Sequence, residues 1–211
     1  MQNNNGLKEA LKTPWIYDLF QSFVGEKRAR KWIARNIWKC NSGENIVDIG
    51  CGTGLILNYL PDDIQYTGFD KNENYIQFAR KKFGDRGRFL VGTPSDYLKS
   101  GESELNMADI VLCNGLLHHL KDKEVLEVFK LSNRIMAHSG RLVCIEPSFL
   151  AKQSTISKWL LSQDRGGFVR SEKEWKEITG KVFSSFSTSI VTGLLRIPYI
   201  HIIIECNKVS G

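Results

Sequence analysis

Five short apolar runs with helical segments among them constrain this chain more than any other feature. The runs read NIVDIG (45–50), QYTGFD (65–70), RFLVG (88–92), ADIVLCN (108–114) and GRLVCIEP (140–147). The third and fourth above all are nearly continuous in apolar residues, the pattern of strands buried on both faces of a parallel sheet. Helical patterns fall over 53–60, stopped by Pro61, over 72–83, ended by Gly84, and over 122–137. Such alternation predicts an α/β fold, a doubly wound sheet with right-handed crossovers and helices on both faces.

The ends of the chain depart from the alternation. Residues 15–39 read as helix, with Ala29, Trp32, Ile33 and Ile37 on one face and Arg28, Arg30, Lys31 and Arg35 largely opposite. Residues 151–164 and 171–179 read as helices, the second opened by a capping box of Ser171 and Glu174. FSTSIVTGLL and YIHIIIECN, joined by RIP, close the chain as a strand pair. The expected organisation is one domain over 1–211: an N-terminal helical cap (1–40), a cofactor-binding core (45–147), substrate-lid helices (148–182) and the terminal pair (183–207).

Composition narrows the partners. The net charge of +6 on 211 residues permits anionic partners without demanding nucleic acid. The five cysteines form no CxxC pair and several sit in apolar runs, which favours a reducing, cytoplasmic compartment and argues against structural zinc. No apolar run approaches the roughly 18–20 residues of a membrane helix, so no stable membrane insertion is expected, and the polar start MQNNNGLKEALK is not a signal peptide.

Within IVDIGCGTG (46–54), glycines recur at 50, 52 and 54. A dinucleotide fingerprint would place its third glycine at 55, which is Leu55, and no Gly-Lys-Ser/Thr follows to make a P-loop. The spacing suits a ligand that makes close contact without a phosphate at the loop: Gly50 and Gly52 let backbone approach, and Asp48 is expected to order the loop N–H groups from beneath. Asp70, ending the second strand, has two acceptor oxygens to match a ribose cis-diol. Ligands in such sheets bind beyond the carboxyl ends of the strands, which singles out 50–54, 70–71, 92–96, 113–119 and 146–148.

These motifs resemble the class I S-adenosylmethionine-dependent methyltransferases. VDIGCGTG (47–54) is similar to their first motif, YTGFDKN (66–72) to the second, ADIVLCNGLLHHL (108–120) to the fourth-strand segment, and SGRLVCIEP (139–147) to the fifth strand with its glycine entry. The resemblance implies a Rossmann-like sheet of about seven mostly parallel strands, with an antiparallel terminal strand and helical lid insertions. It implies S-adenosylmethionine as cofactor and S-adenosylhomocysteine as product. Gly50, Cys51, Gly52 and Gly54 would lie along the methionine moiety, Asp70 with Lys71 beside the ribose, and the backbone at Asn114 and Gly115 near the cofactor's amino group. Many relatives carry an acidic adenine contact directly after the third strand; here Thr93 and Pro94 stand there, so either Asp96 serves, or Ser95 and backbone bind adenine.

Methyl transfer needs positioning, and a general base only if the acceptor atom must lose a proton. His118 and His119 follow the fourth strand where substrate would sit, and imidazole suits a base at neutral pH. Adjacent residues cannot share one helix face, so at least one of them is expected to be structural. Glu146, ending the fifth strand, is a third candidate, or a brace for the loop. In DRGGFVRSEKEW (164–175), Arg165 and Arg170 flank a Gly-Gly hinge and are candidates for capturing a carboxylate or phosphate. Tyr17 is a candidate to close over the cofactor. The absence of an acidic cluster after the fourth strand predicts no metal.

The expected function is therefore methyl transfer by in-line displacement to a small polar or anionic metabolite. An RNA methyltransferase is the alternative, weakened because NGLL (114–117) lacks the Asn/Asp-Pro-Pro-aromatic tetrad of adenine-amine enzymes and no proline precedes a cysteine. A non-catalytic S-adenosylmethionine-binding protein is the other alternative, and the oligomeric state is left open.

Overall fold

The apolar runs pair edge to edge because each presents buried side chains to both faces. In the computed structural model, which describes residues 25–100, 105, 107–150, 153–155, 157–158 and 167–208, the strands are β1 (Asn45–Ile49), β2 (Gln65–Asp70), β3 (Arg88–Val91), β4 (Ala108–Asn114), β5 (Met136–Phe149), β6 (Arg170–Ser171), β7 (Phe186–Val191) and β8 (His201–Asn207). The described residues form one eight-stranded sheet of order β3-β2-β1-β4-β5-β8-β7, with the short β6 pairing the end of β5. The first five strands and β6 run parallel, and β8 pairs antiparallel with both β5 and β7.

Successive residues supply opposite faces. Val47, Val111, Cys113 and Ile202 join one core with Phe129 and Trp175, whereas Ile46, Ile110, Leu112 and Ile203 join the other with Ile76 and Phe83. The helices that cover these faces are α1 (Glu26–Ile33), α2 (Glu73–Phe83), α3 (Pro94–Ser100), α4 (Asp122–Ile135) and α5 (Glu172–Thr179). Helix α2 starts where Asn72 Oδ1 accepts the Asn74 and Tyr75 N–H groups, and it ends before Gly84 as the sequence implies. The expected box opens α5: the Ser171 N–H donates to Glu174 Oε2 at 2.7 Å, and the Glu174 N–H to Ser171 Oγ at 3.4 Å.

Three expectations change. The helix read over 53–60 is a single 3-10 segment, Leu55–Tyr59, because the chain enters it from a left-handed Gly54 and leaves it just before Pro61. The N-terminal helix does not run on to 39 as a regular α-helix. A π turn over Ala34–Trp38, closed by the Lys39 N–H on Ala34 O at 3.0 Å, adds one residue to the last turn. That extra residue rotates Trp38 into the core, while Trp32, assigned to the apolar face, is 41% exposed. Arg141 of β5 holds the turn by donating to the Ile37 and Trp38 carbonyls. Residues 15–24, and most of the helix read over 151–164, lie outside the described residues.

The α5 cap gives a direct stability prediction. Ser171→Ala should lower the unfolding free energy by about 1 kcal/mol, measured as a lowered midpoint in urea titration at pH 7, and a midpoint unchanged from the parent would contradict the cap's role.

Candidate active site

The carboxyl ends of β1, β4 and β5 open into one cavity of about 560 Å³. Its floor includes Asp48, Gly50, Cys51 and Gly52 from the glycine loop, with Asn114, Gly115 and His118 after β4. Ala29, Arg30, Ile33 and Trp38 form one wall, and the β7–β8 connection forms another with Leu194, Leu195, Ile197 and Tyr199, next to His201 at the start of β8.

The three loop glycines have left-handed φ values of +73°, +54° and +70°, but the space they leave serves different ends. A Cβ on Gly50 would come within 2.8 Å of Leu116, and one on Gly54 within 2.8 Å of Phe89, so these two make room for packing. A Cβ on Gly52 would meet nothing within 4 Å. Gly50 and Gly52 both line the cavity, and of the three only Gly52 has open space where a Cβ would stand.

The loop is also held differently from the expectation. Gly50 and Cys51 donate their N–H groups to Phe69 O at 2.8 and 3.1 Å, and Gly52 donates to Asp70 Oδ2 at 3.1 Å. Asp48 is buried and accepts instead from the Tyr66 hydroxyl, at 2.7 Å. Burial drives the Asp48 carboxyl up from 3.8 to about 7, against the opposing pull of the Tyr66 hydrogen bond and Arg30. Burial likewise pushes the Cys51 thiol well above its usual range.

Asp70 Oδ1 accepts the Asn72 N–H at 2.8 Å, so each of its oxygens holds one backbone bond and retains a second lone pair for a vicinal diol. Lys71 is exposed beside it. Asp48 and Arg30 place a carboxyl and a guanidinium at the loop end of the cavity, hydrogen-bonding groups for an amino-acid moiety. With the Gly52 opening and the Asp70 acceptors, the residues present fit S-adenosylmethionine.

Beyond β3, Asp96 Oδ2 accepts the Thr93 N–H at 2.9 Å and the Thr93 hydroxyl at 2.7 Å. Those bonds hold the Asp96 carboxyl below its usual range. Asp96 thus caps the start of α3, with Ser95 half-buried beside it, and neither residue lines the cavity.

After β4, Glu146 acts as the brace and His118 as the group it aims. Glu146 is completely buried. Its Oε1 accepts the Leu116 and Leu117 N–H groups at 3.0 and 2.9 Å, and its Oε2 accepts the His118 N–H at 3.2 Å. The His118 ring meets the same Oε2 through Nδ1 at 2.6 Å. The Glu146 oxygen that accepts a backbone N–H is an acceptor for the ring as well, which assigns a ring proton to Nδ1 and leaves Nε2 as the nitrogen not engaged by Glu146. His119 is exposed, its ring 4.0 Å from that of His118, and it does not line the cavity.

Arg170 is not a substrate clamp. Its Nε and Nη2 donate to Asp122 Oδ1 at 3.1 and 2.7 Å, and Nη2 also to Leu120 O at 2.8 Å. Nη1 serves Leu117 O at 3.2 Å and Phe168 O at 3.0 Å. The guanidinium lies over the Trp175 ring and is spent on the fold. Tyr17 and Arg165 lie outside the described residues. Among the described residues no group of three His, Cys, Asp or Glu side chains is arranged to hold a metal ion.

Sequence reading missed Arg30, Trp38, Tyr199 and His201 as cavity residues. Trp38 donates Nε1–H to Asn114 Oδ1 at 3.2 Å, a contact across 76 residues that no local pattern announces.

The strand order, the glycine loop and the Asp70 acceptors define a Rossmann-like cofactor-binding fold with one reversed terminal strand. Residues 47–142 match the family model described as a methyltransferase domain, and they form a class I S-adenosylmethionine-dependent methyltransferase domain. The chain is 32% identical over 127 residues to a ribosomal RNA large subunit methyltransferase G from Pseudoalteromonas atlantica, covering 54% of this chain and 33% of that protein. It is 31% identical over 115 residues to an uncharacterised methyltransferase of Schizosaccharomyces pombe, covering 51% and 39%. The chain therefore spans about a third to two-fifths of the length of these curated relatives. Among solved structures, its fold is similar to a TehB-like SAM-dependent methyltransferase from Corynebacterium glutamicum (TM-score 0.66, 15% identity, 97% of this chain and 100% of that one). It is also similar to the pyocyanin biosynthetic protein PhzM (TM-score 0.71, 21% identity, 95% and 60%).

Asp48 carries a pH prediction. Its folded pKa lies above the unfolded value, so its stabilising effect is fully present below about pH 4 and is lost as pH rises through about 7. Asp48→Asn should gain stability relative to the parent over that window, by at most about 4 kcal/mol. Urea unfolding of both proteins at pH 4, 5.5, 7 and 8 measures the difference, and a constant difference would contradict the assignment.

Proposed function

We propose that this protein transfers the methyl group of S-adenosylmethionine to a proton-bearing oxygen or nitrogen of a small molecule, with His118 as general base. The observation that carries this reading is His118, which lines the cavity floor and is held through Nδ1 by the buried Glu146. When bound, the cofactor supplies an activated methyl carbon, and the C–S bonding pair stays on sulfur as S-adenosylhomocysteine is released.

The chain's residues do the rest. Asp70 holds the ribose hydroxyls, and Gly52 admits the cofactor against the loop. Asp48 and Arg30 receive its amino and carboxylate groups. Glu146 keeps the His118 proton on Nδ1, so Nε2 is the atom that takes the acceptor's proton. The cavity walls exclude water and align the acceptor for in-line attack, which can lower a barrier by roughly 7–11 kcal/mol. Residues 45–147 serve as the cofactor-binding core, and the terminal pair 183–207 borders the acceptor. The cysteines are free thiols, which suits a cytoplasmic setting. No helix among the described residues is long and apolar enough to cross a membrane.

RNA as acceptor is a second reading. Its support is the ribosomal RNA methyltransferases among the relatives and the exposed basic residues Lys27, Arg28 and Lys31 on α1 and Arg35 in the π turn that follows. The small molecule is favoured because His118 is buried on the floor of a walled cavity rather than set on an open face.

Calorimetric titration should give micromolar binding of S-adenosylmethionine and S-adenosylhomocysteine and none of NAD, with binding lost in Asp70→Ala; preference for NAD would overturn the reading. On an acceptor found by screening for S-adenosylhomocysteine release, His118→Ala should lower kcat about 10²- to 10⁴-fold while leaving cofactor affinity unchanged. An unchanged kcat would remove His118 from the mechanism.

A further inference from the structure

Alongside the end of β5, the cavity that His118 lines presents a wall whose chemistry the cofactor does not explain. Strand pairing sets His201 beside Pro147 and Ile202 beside Glu146, so the start of β8 lies alongside the end of β5 at the level of Glu146. The Tyr199 and His201 rings lie 5.0 Å apart, tilted by 49°, and both line the cavity. Leu194, Leu195 and Ile197 continue this wall from the β7–β8 connection, and Ile33 faces the cavity from α1. Arg30 is the one Lys or Arg among the described residues that line the cavity, and it sits at the glycine-loop end beside Asp48. The acceptor side is thus an aliphatic slot edged by two rings, with an imidazole base at its floor.

We infer that the cavity between His118 and the Tyr199–His201 wall is the acceptor subsite and that it takes a small planar aromatic molecule bearing a phenol-type hydroxyl. The inference rests on the methyltransferase reading and adds the acceptor class. Two independent properties select that class. Rings prefer offset or edge-to-face partners at centroid separations of about 4.5–7 Å, a geometry that a planar guest can extend from Tyr199 and His201. An imidazole base is also far better matched to a phenol, near 10, than to an alkanol, whose hydroxyl is several units weaker as an acid. A ribose hydroxyl on RNA satisfies neither property. Tyr199 and His201 set specificity, and the acceptor's proton goes to His118 Nε2.

The test uses the full chain with 2-naphthol as probe and its saturated counterpart decahydro-2-naphthol as control, titrated by calorimetry with and without saturating S-adenosylhomocysteine. The aromatic probe should bind about tenfold more tightly than the saturated one. Tyr199→Leu should weaken 2-naphthol about five- to tenfold and Tyr199→Phe should restore it within about twofold, since the ring is what the probe reads. His201→Leu should weaken the probe in the same direction. S-adenosylhomocysteine affinity should be unchanged in all three variants. Equal affinity for the two probes, no binding of either, or an equal loss in the Leu and Phe variants would overturn the subsite. Failure of S-adenosylhomocysteine itself to bind would instead overturn the methyltransferase reading, and the cofactor-free titrations would still judge the wall.

Discussion

Two buried side chains of opposite charge, Glu146 and Arg170, solvate the two sides of a single peptide turn, and the site depends on that arrangement. The turn from Leu116 to Leu120 leaves β4 and passes through the interior, where each unpaired backbone group would cost roughly 1–3 kcal/mol. Glu146 takes the N–H groups of Leu116, Leu117 and His118. Arg170 serves the carbonyls of Leu117 and Leu120, and the Phe168 N–H serves that of His118. Neither charge contacts the ligand space as an isolated ion. Each is dispersed into a ring of peptide dipoles, which is how a carboxylate with no exposed surface is tolerated.

Catalytic geometry follows from this packing solution. With the turn pinned at six backbone groups, the His118 ring has little freedom, and the Glu146 oxygen that pins its backbone also fixes its Nδ1. On the cofactor side the logic is similar: Phe69 and Asp70, at the end of β2, collect the N–H groups of the glycine loop. The sheet thus carries two rigid turns, one after β1 and one after β4, and the cavity is the space between them. The β7–β8 connection and α1 close that space with side chains that the parallel core does not supply.

The strands and the cofactor loop were legible in the sequence because their signals are local. Continuous apolar runs mark strands buried on both faces, and GCGTG marks the turn after the first of them. The capping box at Ser171 was equally readable, since both partners lie within one helical turn. Less legible was anything set by contacts across the chain. Arg170 reads as a loop cation beside a glycine pair, but its acceptors lie about 50 residues earlier, at Leu117, Leu120 and Asp122. Asp48 seemed aimed at its own loop, yet Tyr66 from the neighbouring strand reaches it first. Asp96 needed only its third neighbour back, Thr93, to become a helix cap. The insertion of one residue in the π turn moved Trp38 inward, a register change with no sequence signature that helical periodicity can detect.

The central claim is that Glu146 holds His118 as the Nδ1–H tautomer with Nε2 presented to the acceptor. Nitrogen-15 NMR of the imidazole, on the S-adenosylhomocysteine complex of the full chain, measures this directly. A protonated Nδ1 and an unprotonated Nε2 in the parent, with the other tautomer gaining population in Glu146→Gln, is the predicted result. A dominant Nε2–H tautomer in the parent would contradict the account.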